Sequence, residues 1–298
     1  MIIKSYSWII VLMGYALCYS NINAQSYIYD NFNRLRTITY PDGSQITYQY
    51  DKLGNRIGYT VQSARILLSP KVYLMGAFED SDGLMRDALR NNAVIPTTEP
   101  YTAIGYQHQG DQGGGELISD STNVLSDRGP NSVVDWVLIE LRDQSDISVI
   151  LHSRAALLLR NGNITDMDGV SPVGFSGVNS DSYFIAIRHR NHLAVATKNP
   201  TNLAVGTTNT VDFTNSSTLT YGTNAQIQLS SGLMAMVSGD ANGDGSVNAV
   251  DKNTHWRPQN GQSFNYLSSN ADFNLDGAVN AIDQNLHWRI NNSKTQNF

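Results

Sequence analysis

Residues 147–159 have the sequence ISVILHSRAALLL, and this stretch indicates the fold class. The odd-numbered positions carry Ile, Val, Leu, Ser, Ala, Leu and Leu, whereas the even-numbered positions include His152 and Arg154. Successive side chains of a β-strand point to opposite faces, so this period of two predicts a strand with one face toward a core.

The segments around this stretch extend the β pattern. Residues 133–141 are apolar on both faces, which is typical of a central strand, and residues 183–187 predict another strand. Residues 84–90 are the one candidate for a short helix. Frequent Gly, Asn and Pro between the strands favour an antiparallel arrangement over an α/β fold. We therefore predict a mainly β protein in which residues 66–236 form an antiparallel β-sandwich.

The composition and the N-terminal residues of the chain indicate where the protein is located and which classes of partner it can bind. The chain of 298 residues has a net charge of −6, which argues against a nucleic-acid partner because such partners select a basic surface. Lys4, an apolar run over residues 8–18 and Ala24 predict a signal peptide of residues 1–24, and no other stretch could span a membrane. We expect a secreted protein, extracellular or at the cell surface.

The one cysteine of the chain, Cys18, lies within this predicted signal peptide. Lipidation at Cys18 would require a small residue before it, where Leu17 stands. The mature chain would then have no cysteine and no disulfide, so bound calcium is the expected stabiliser of the exported protein.

A short tyrosine-rich repeat follows the signal peptide. YIYD at residues 27–30 recurs as YQYD at residues 48–51, and residues 41–43 (PDG) predict a turn between two hairpin strands. Over residues 27–57 the chain resembles the YD repeats of Rhs-type secreted shells, with Asn33 where that family usually has Gly. Two copies are too few to close a shell. We interpret residues 25–62 as an adhesive stub or remnant; a two-stranded extension of the next domain is the alternative.

The strongest chemical signal is a twelve-residue acidic loop that occurs twice. DANGDGSVNAVD at residues 240–251 recurs as DFNLDGAVNAID at residues 272–283, and His-Trp-Arg follows each loop at the same offset. Calcium takes about six to eight oxygen ligands, which such a loop offers at positions 1, 3, 5, 7, 9 and 12, with Gly at position 6 for the turn. We predict two Ca²⁺ ions with these ligands: Asp240, Asn242, Asp244, the carbonyl of Ser246, Asn248 and Asp251; then Asp272, Asn274, Asp276, the carbonyl of Ala278, Asn280 and Asp283.

Residues 240–292 resemble a type I dockerin, since position 12 is Asp and no helical pattern precedes either loop. The resemblance implies tandem loop–helix units around two calcium ions that dock onto a cohesin. Residues 249–250 (AV) and 281–282 (AI) occupy positions at which cohesin-binding dockerins often carry hydroxyl residues. The resemblance therefore supports calcium binding more directly than it supports a cohesin-like partner. We predict a dockerin-like calcium-binding module at residues 238–298. Repeated side chains at its helices, namely His255, Trp256, His287 and Trp288, are expected to pack the two units together.

The β domain has a resemblance of its own. Residues 71–77, 84–87, 134–142 and 188–193 are similar to a module of uncharacterised secreted bacterial proteins labelled haemagglutinin-like. The resemblance implies adhesion, with a glycan (carbohydrate binding) or a surface protein as the ligand.

Candidate catalytic groups are also present in this domain. They are Asp135, Glu140, His152, Asp166, Asp168, His189 and His192. No GxSxG elbow, HExxH helix or phosphate loop accompanies them. The two carboxylates of a glycosidase need no local spacing, however. We favour extracellular binding, adhesion or assembly; the alternative is a carbohydrate-active hydrolase with a dockerin-like appendage.

Overall fold

The structure is a computed structural model that describes residues 25–40, 44–110, 113–223, 226–296 and 298. The predicted signal peptide (residues 1–24) and the predicted turn at residues 41–43 lie outside the described residues. The chain divides into two compact units, with the boundary between Val61 and Gln62. In the described residues, no helix is long and apolar enough to cross a membrane.

The N-terminal unit is a four-stranded sheet formed by the tyrosine-rich repeat. Its strands, in spatial as in chain order, are β1 (Ser26–Tyr29), β2 (Leu35–Thr39), β3 (Gln45–Tyr50) and β4 (Arg56–Gln62). The aspartate of each YD pair organises a turn: Asp30 accepts from the backbone N–H groups of Phe32 and Arg34, and Asp51 accepts from those of Leu53 and Asn55.

A left-handed residue completes each of these two turns. Asn33 has φ 58° and Gly54, 21 positions later in the repeat, has φ 92°. Asn tolerates this conformation better than other side chains do. The replacement of the family's Gly by Asn33 is therefore compatible with the turn.

The C-terminal unit contains two sheets that enclose one core. The larger sheet has the order β10-β9-β8-β12-β13, with β14 also paired to β12, and the smaller has the order β11-β5-β15. All pairs are antiparallel except β15 with β5, which is parallel. The strands are β5 (Arg65–Lys71), β8 (Val133–Asp143), β9 (Ile150–Leu159), β10 (Ile164–Thr165), β11 (Val173–Ser176), β12 (Asp181–His189), β13 (His192–Ala196), β14 (Thr201–Leu203) and β15 (Thr208–Asp212).

Shorter elements complete this unit. They are the hairpins β6 (Phe78–Glu79) with β7 (Leu84–Met85) and β16 (Gln226–Gln228) with β17 (Met234–Met236), and the helices α1 (Ala88–Asn91) and α2 (Ser121–Val124). The buried side chains of the small sheet, such as Leu68 and Phe175, and of the large sheet, such as Leu157 and Ile185, belong to one apolar core. The predicted mainly β, antiparallel sandwich is thus confirmed.

Two local expectations differ from the structure. Residues 84–90 do not form one helix, because Leu84–Met85 pair with Phe78–Glu79 and the helix begins only at Ala88. Strand β9 is buried on both faces from Ala155 to Leu159. The segment that precedes β8 contacts this sheet: the Ala155 N–H of β9 donates to Glu116 Oε1, and the Trp136 indole N–H of β8 donates to the carbonyl of Pro96.

The two acidic loops follow the sandwich, and each leads into a short helix. The helices are π-helical at Asp251–Trp256 and Asp283–Trp288, and an α-helical turn, α3 (Arg257–Gln259), extends the first. The predicted loop–helix architecture is therefore present. The helices are wider than expected, with an Arg289 N–H bond to the carbonyl of Gln284 five residues earlier.

Candidate metal centre

Each acidic loop closes on the aspartate at its twelfth position. Asp251 Oδ1 accepts from two backbone N–H groups near the start of its loop and Oδ2 accepts from one near its end, namely those of Ala241 (2.8 Å), Asn242 (3.3 Å) and Asn248 (2.7 Å). Asp283 makes the equivalent bonds to Phe273 (2.8 Å), Asn274 (3.3 Å) and Asn280 (2.8 Å). Both carboxylates therefore draw the two halves of their loops together in the same way.

The first and sixth positions of each loop are also paired. Asp240 Oδ2 accepts from the N–H of Gly245, and Asp272 Oδ2 accepts from that of Gly277, both at 3.0 Å. The two glycines have φ angles of 83° and 86°, which other residues rarely adopt. The glycine at position 6 thus permits the turn that the sequence predicted.

The third and fifth positions lie side by side. The Asn242 amide donates to Asp244 Oδ2 at 2.8 Å, and the Asn274 amide donates to Asp276 Oδ2 at 2.9 Å. The Asn248 amide lies 3.4 Å from the carbonyl of Ser246, which brings positions 7 and 9 together in the first loop. Positions 3 and 5 are therefore neighbours in both loops, and positions 7 and 9 are neighbours in the first; the role of all these groups as ligands stays a prediction.

The electrostatics of the loops fit a cation. Asp240, Asp251, Asp272 and Asp283 are all buried, and Asp240 Oδ1 has no hydrogen-bond partner among the described residues. Burial and then the Asp251 charge raise the pKa of Asp240 to about 7. Burial likewise raises the pKa of Asp272 to about 7 and that of Asp283 to about 6. A buried carboxylate cluster made only of oxygen donors is the set that a hard divalent ion such as Ca²⁺ requires.

These pKa values predict a pH dependence for the calcium-free protein. The folded chain holds protons that the unfolded chain, with Asp pKa values of about 4, releases. The free energy of unfolding in chelator should therefore fall as the pH rises from about 4 to about 7. Calcium binds the ionised carboxylates, so its stabilising effect should grow over the same window. Calorimetric melting with chelator and with Ca²⁺ checks this; a calcium-induced rise in Tm that is independent of pH would contradict it.

Reciprocal contacts join the two loops. The Trp256 indole N–H donates to the carbonyl of Asn280 at 2.7 Å, and that of Trp288 donates to the carbonyl of Asn248 at 2.8 Å. Position 8 of each loop, Val247 or Val279, is buried in one small apolar cluster with Trp288, against which Trp256 packs. The predicted packing role of the repeated tryptophans agrees with these contacts.

The two repeated histidines are in unequal surroundings. His255 Nδ1 lies 3.2 Å from the amide nitrogen of Asn270. His287 is mostly buried, and burial lowers its pKa to about 4. A neutral imidazole at neutral pH suits the packing role that we expected.

A buried ion pair attaches the second loop to the sandwich. Arg190 Nε donates to Asp135 Oδ2 at 3.0 Å, its Nη1 donates to the carbonyl of Ser269 at 3.3 Å, and its guanidinium stacks 4.8 Å from the ring centre of Tyr266. The Tyr266 hydroxyl donates to the other Asp135 oxygen. The neighbouring Asn191 amide donates to the carbonyl of Asp272, a position-1 residue, at 2.6 Å.

Most of the candidate catalytic groups take part in structural contacts. Glu140 is fully buried between Arg142 and Arg188, and Asp166 pairs with Arg154 at 2.8 Å. His189 bonds Asp135 at 3.2 Å, and His192 Nε2 accepts from the N–H of Gly76 at 3.3 Å. Asp168 accepts from the N–H groups of Val170 and Ser171 and so closes a turn. His152 lies on β9, half-buried, opposite Leu141 of β8.

The sequence patterns did not identify several residues that matter here. Arg190, Asn191 and Tyr266 connect the loops to the sandwich, and nothing in their local sequence indicates it. Glu99, His108 and Glu116 converge elsewhere in the C-terminal unit. The glycine-rich composition of residues 105–115 was the available signal for that cluster.

Comparison with known families assigns two segments of the chain. Residues 29–62 match the RHS Repeat family, and residues 238–286 match the Dockerin type I domain. No curated protein and no solved structure is significantly similar to the chain. The YD-repeat and dockerin-like resemblances are thus confirmed, while the haemagglutinin-like resemblance of the sandwich stays a prediction.

The dockerin match indicates function in general terms. Type I dockerin domains bind calcium and serve protein assembly through cohesins. Dockerin and RHS segments are typical of extracellular or cell-surface proteins. The match therefore supports calcium binding and a role in protein assembly for residues 238–286.

Proposed function

We propose that this protein is secreted and binds a partner protein through a C-terminal module, residues 238–298, that holds two Ca²⁺ ions. The first part of the proposal rests on the repeated geometry described above, in which the buried aspartates at positions 1 and 12 hold each loop closed. Asp251 and Asp283 are also the first residues of their helices. An ion bound in each loop would therefore fix the orientation of the helix that follows.

The second part of the proposal, the binding of a partner protein, rests on one surface of the module. Ile282, Leu286 and Ile290 recur at intervals of four residues, from the residue before the second helix to the second residue after it, and are 46%, 57% and 55% exposed. Asp283 and Trp288 of this helix are buried. Exposed apolar side chains that recur at this interval are typical of a protein-binding surface. We name this set the apolar stripe.

The two repeat units differ at the positions of the apolar stripe, and this difference supports a specific partner for the second unit. Val250, Thr254 and Pro258 occupy the equivalent, exposed positions of the first unit. The second unit is thus the more apolar of the two related surfaces. A cohesin-type module is the partner class that the dockerin match favours.

Replacing Leu286 by aspartate should abolish this interaction. Introducing a charge at the centre of an apolar contact costs about 2–4 kcal/mol, or roughly 100-fold in affinity. Calorimetric titration of a panel of type I cohesin modules, in Ca²⁺, measures the effect. The matched control is Thr254→Asp at the equivalent position of the first unit, which should bind normally. Absence of any cohesin binding by the unmodified protein, or equal losses in both variants, would contradict the proposal.

A second candidate function concerns a cleft in the C-terminal unit. A cavity of about 500 Å³ lies between the sandwich and the first acidic loop. Its lining combines tyrosine rings with arginine and amide groups: Tyr101, Tyr106, Tyr266, Arg188, Asn242, Asn270 and Gln296. Aromatic faces beside hydrogen-bonding groups are suited to a polar ligand such as a glycan unit. Glycan binding here would support the adhesion function.

Filling the cleft provides the test. Ile104 lines the cavity and is 47% exposed, so Ile104→Trp should narrow the opening without disturbing the core. We expect glycan-array signals to fall at least about tenfold, the usual effect of losing a few good contacts. Val149→Trp, an exposed position that does not line the cleft, is the control. A blank array for the unmodified protein would exclude this function.

A further inference from the structure

A glycine-rich segment brings two glutamates and a histidine together beside strand β9. One ligand atom from each of Glu99, His108 and Glu116 lies within 4.8 Å of the other two. Glu99 and Glu116 are opposite each other on two antiparallel segments, because the Glu99 N–H donates to the Glu116 carbonyl at 2.9 Å. His108 comes from the chain between them.

One ring nitrogen of the histidine faces inward and makes no hydrogen bond to any described residue. Its side chain is only 8% exposed, and Nε2 has no hydrogen-bond partner in the described part of the chain. Nε2 lies 3.6 Å from Glu99 Oε2. The other nitrogen, Nδ1, lies 3.2 Å from Ser153 Oγ on β9.

Ser153 holds the other side of the imidazole. Ser153 Oγ accepts from the Gln109 N–H at 2.8 Å and lies 3.2 Å from His108 Nδ1. This contact through Nδ1 leaves Nε2 as the ring nitrogen that faces the carboxylates. A histidine that is held through one nitrogen and faces carboxylates with the other has the arrangement of a metal ligand.

Backbone groups hold both carboxylates in place. Glu99 accepts from the N–H groups of Tyr101 (2.7 Å) and Gly115 (3.1 Å). Glu116 accepts from those of Gly114 and Ala155, both at 3.0 Å. Gly114 has φ 93°, and a Cβ there would lie 3.2 Å from the His108 ring. The glycines thus allow the chain to fold closely around the cluster.

We propose that Glu99, His108 and Glu116 form a third metal site, for a divalent first-row transition ion such as Zn²⁺. One imidazole nitrogen with two carboxylate oxygens matches the donor preference of zinc, whereas calcium takes oxygen ligands. Without an ion, His108 Nε2 lies 3.6 Å from Glu99 Oε2 inside the protein and has no hydrogen-bond partner among the described residues. The ion would link His108 of the glycine-rich segment to the two antiparallel segments that carry Glu99 and Glu116.

Metal titrations of the chain from residue 25 onward test this site. Millimolar Ca²⁺ is kept present, so that the acidic loops do not take up the added metal. We expect one Zn²⁺ per chain by calorimetry, and Co²⁺ should produce visible absorption bands that report nitrogen and oxygen ligands. His108→Ala should lower the Zn²⁺ affinity at least about 100-fold and remove the Co²⁺ bands. Glu116→Gln, which keeps the shape of the side chain, should lower the affinity about tenfold or more.

His255→Ala, a change of a histidine in the calcium module, is the matched control and should bind Zn²⁺ normally. Far-UV circular dichroism without zinc shows whether each variant is folded. If His108→Ala does not fold, the Zn²⁺ affinity of Glu116→Gln and the Co²⁺ spectrum of the unmodified protein test the site instead. Absence of Zn²⁺ uptake in excess Ca²⁺, or equal uptake by Glu116→Gln, overturns the proposal. A doubly protonated His108 in NMR spectra, with no metal uptake, would also overturn it and indicate an ion pair with Glu99.

Discussion

Asp251→Asn and Asp283→Asn should each remove one of two calcium sites and leave the other intact. Position 12 is the residue that can give an ion two oxygens at once. In this chain it also accepts three backbone hydrogen bonds. An Asn side chain there would turn its amide NH₂ group toward a backbone N–H that now donates to the carboxylate, such as that of Asn248 or Asn280. We expect the affinity of the altered loop to fall by more than about 100-fold, since even residues behind the ligands contribute about 10–100-fold.

Calorimetric calcium titration measures both number and affinity. Asp168→Asn is the matched control: Asp168 also accepts backbone hydrogen bonds in a turn, but it lies outside the loops. It should leave two sites. A single site in the unmodified protein would end the two-ion proposal, and retention of both sites in either variant would show that position 12 is not a ligand.

Arg190→Met should destabilise the C-terminal unit by about 3–5 kcal/mol, because it leaves a buried carboxylate without its counter-charge. Asp135 is fully buried. Burial alone would raise its pKa, but the Arg190 charge, together with His189 and the Tyr266 hydrogen bond, lowers the pKa to about 2. The same substitution removes the contact with Ser269, so the second loop would lose part of its attachment to the sandwich.

Urea unfolding in saturating Ca²⁺ gives the free energy. Arg86→Met is the matched control, since Arg86 also contacts the second loop at Asn274 but pairs with Glu79 near the surface, with side chains 32% and 35% exposed. It should cost less than about 1 kcal/mol. Adding Asp135→Asn to Arg190→Met should restore part of the lost stability, because the unpaired charge is then gone. Equal costs for Arg190→Met and Arg86→Met would refute a special role for the buried pair.

The features that could be predicted are those encoded over short distances. The alternation in residues 147–159 and the apolar run at residues 133–141 predicted strands that correspond to β9 and β8. The spacing of each acidic loop predicted a closed turn with glycine at position 6. In each case the responsible atoms are within about a dozen residues, so periodicity and turn chemistry contain the necessary information.

The errors came from packing between distant segments. Residues 84–90 were expected to be helical, but pairing with Phe78–Glu79 takes the first two of them into a hairpin. Alternation in β9 indicated one buried face, whereas the strand is buried on both faces from Ala155 to Leu159, and Glu116, far back in the chain, bonds to it. A sequence pattern shows which side chains are apolar, but it does not show which segment will lie on them.

The calcium loops, the YD turns and the strands of the sandwich are therefore readable from the residues alone, because each depends on neighbours along the chain. The attachment of the second loop to the sandwich and the Glu99–His108–Glu116 cluster are decided by the tertiary structure. Arg190 and Tyr266 meet Asp135 from positions 55 and 131 residues away. A buried charge is stable only where the fold places a partner beside it. Neither residue type nor spacing in the sequence specifies which residue that partner will be.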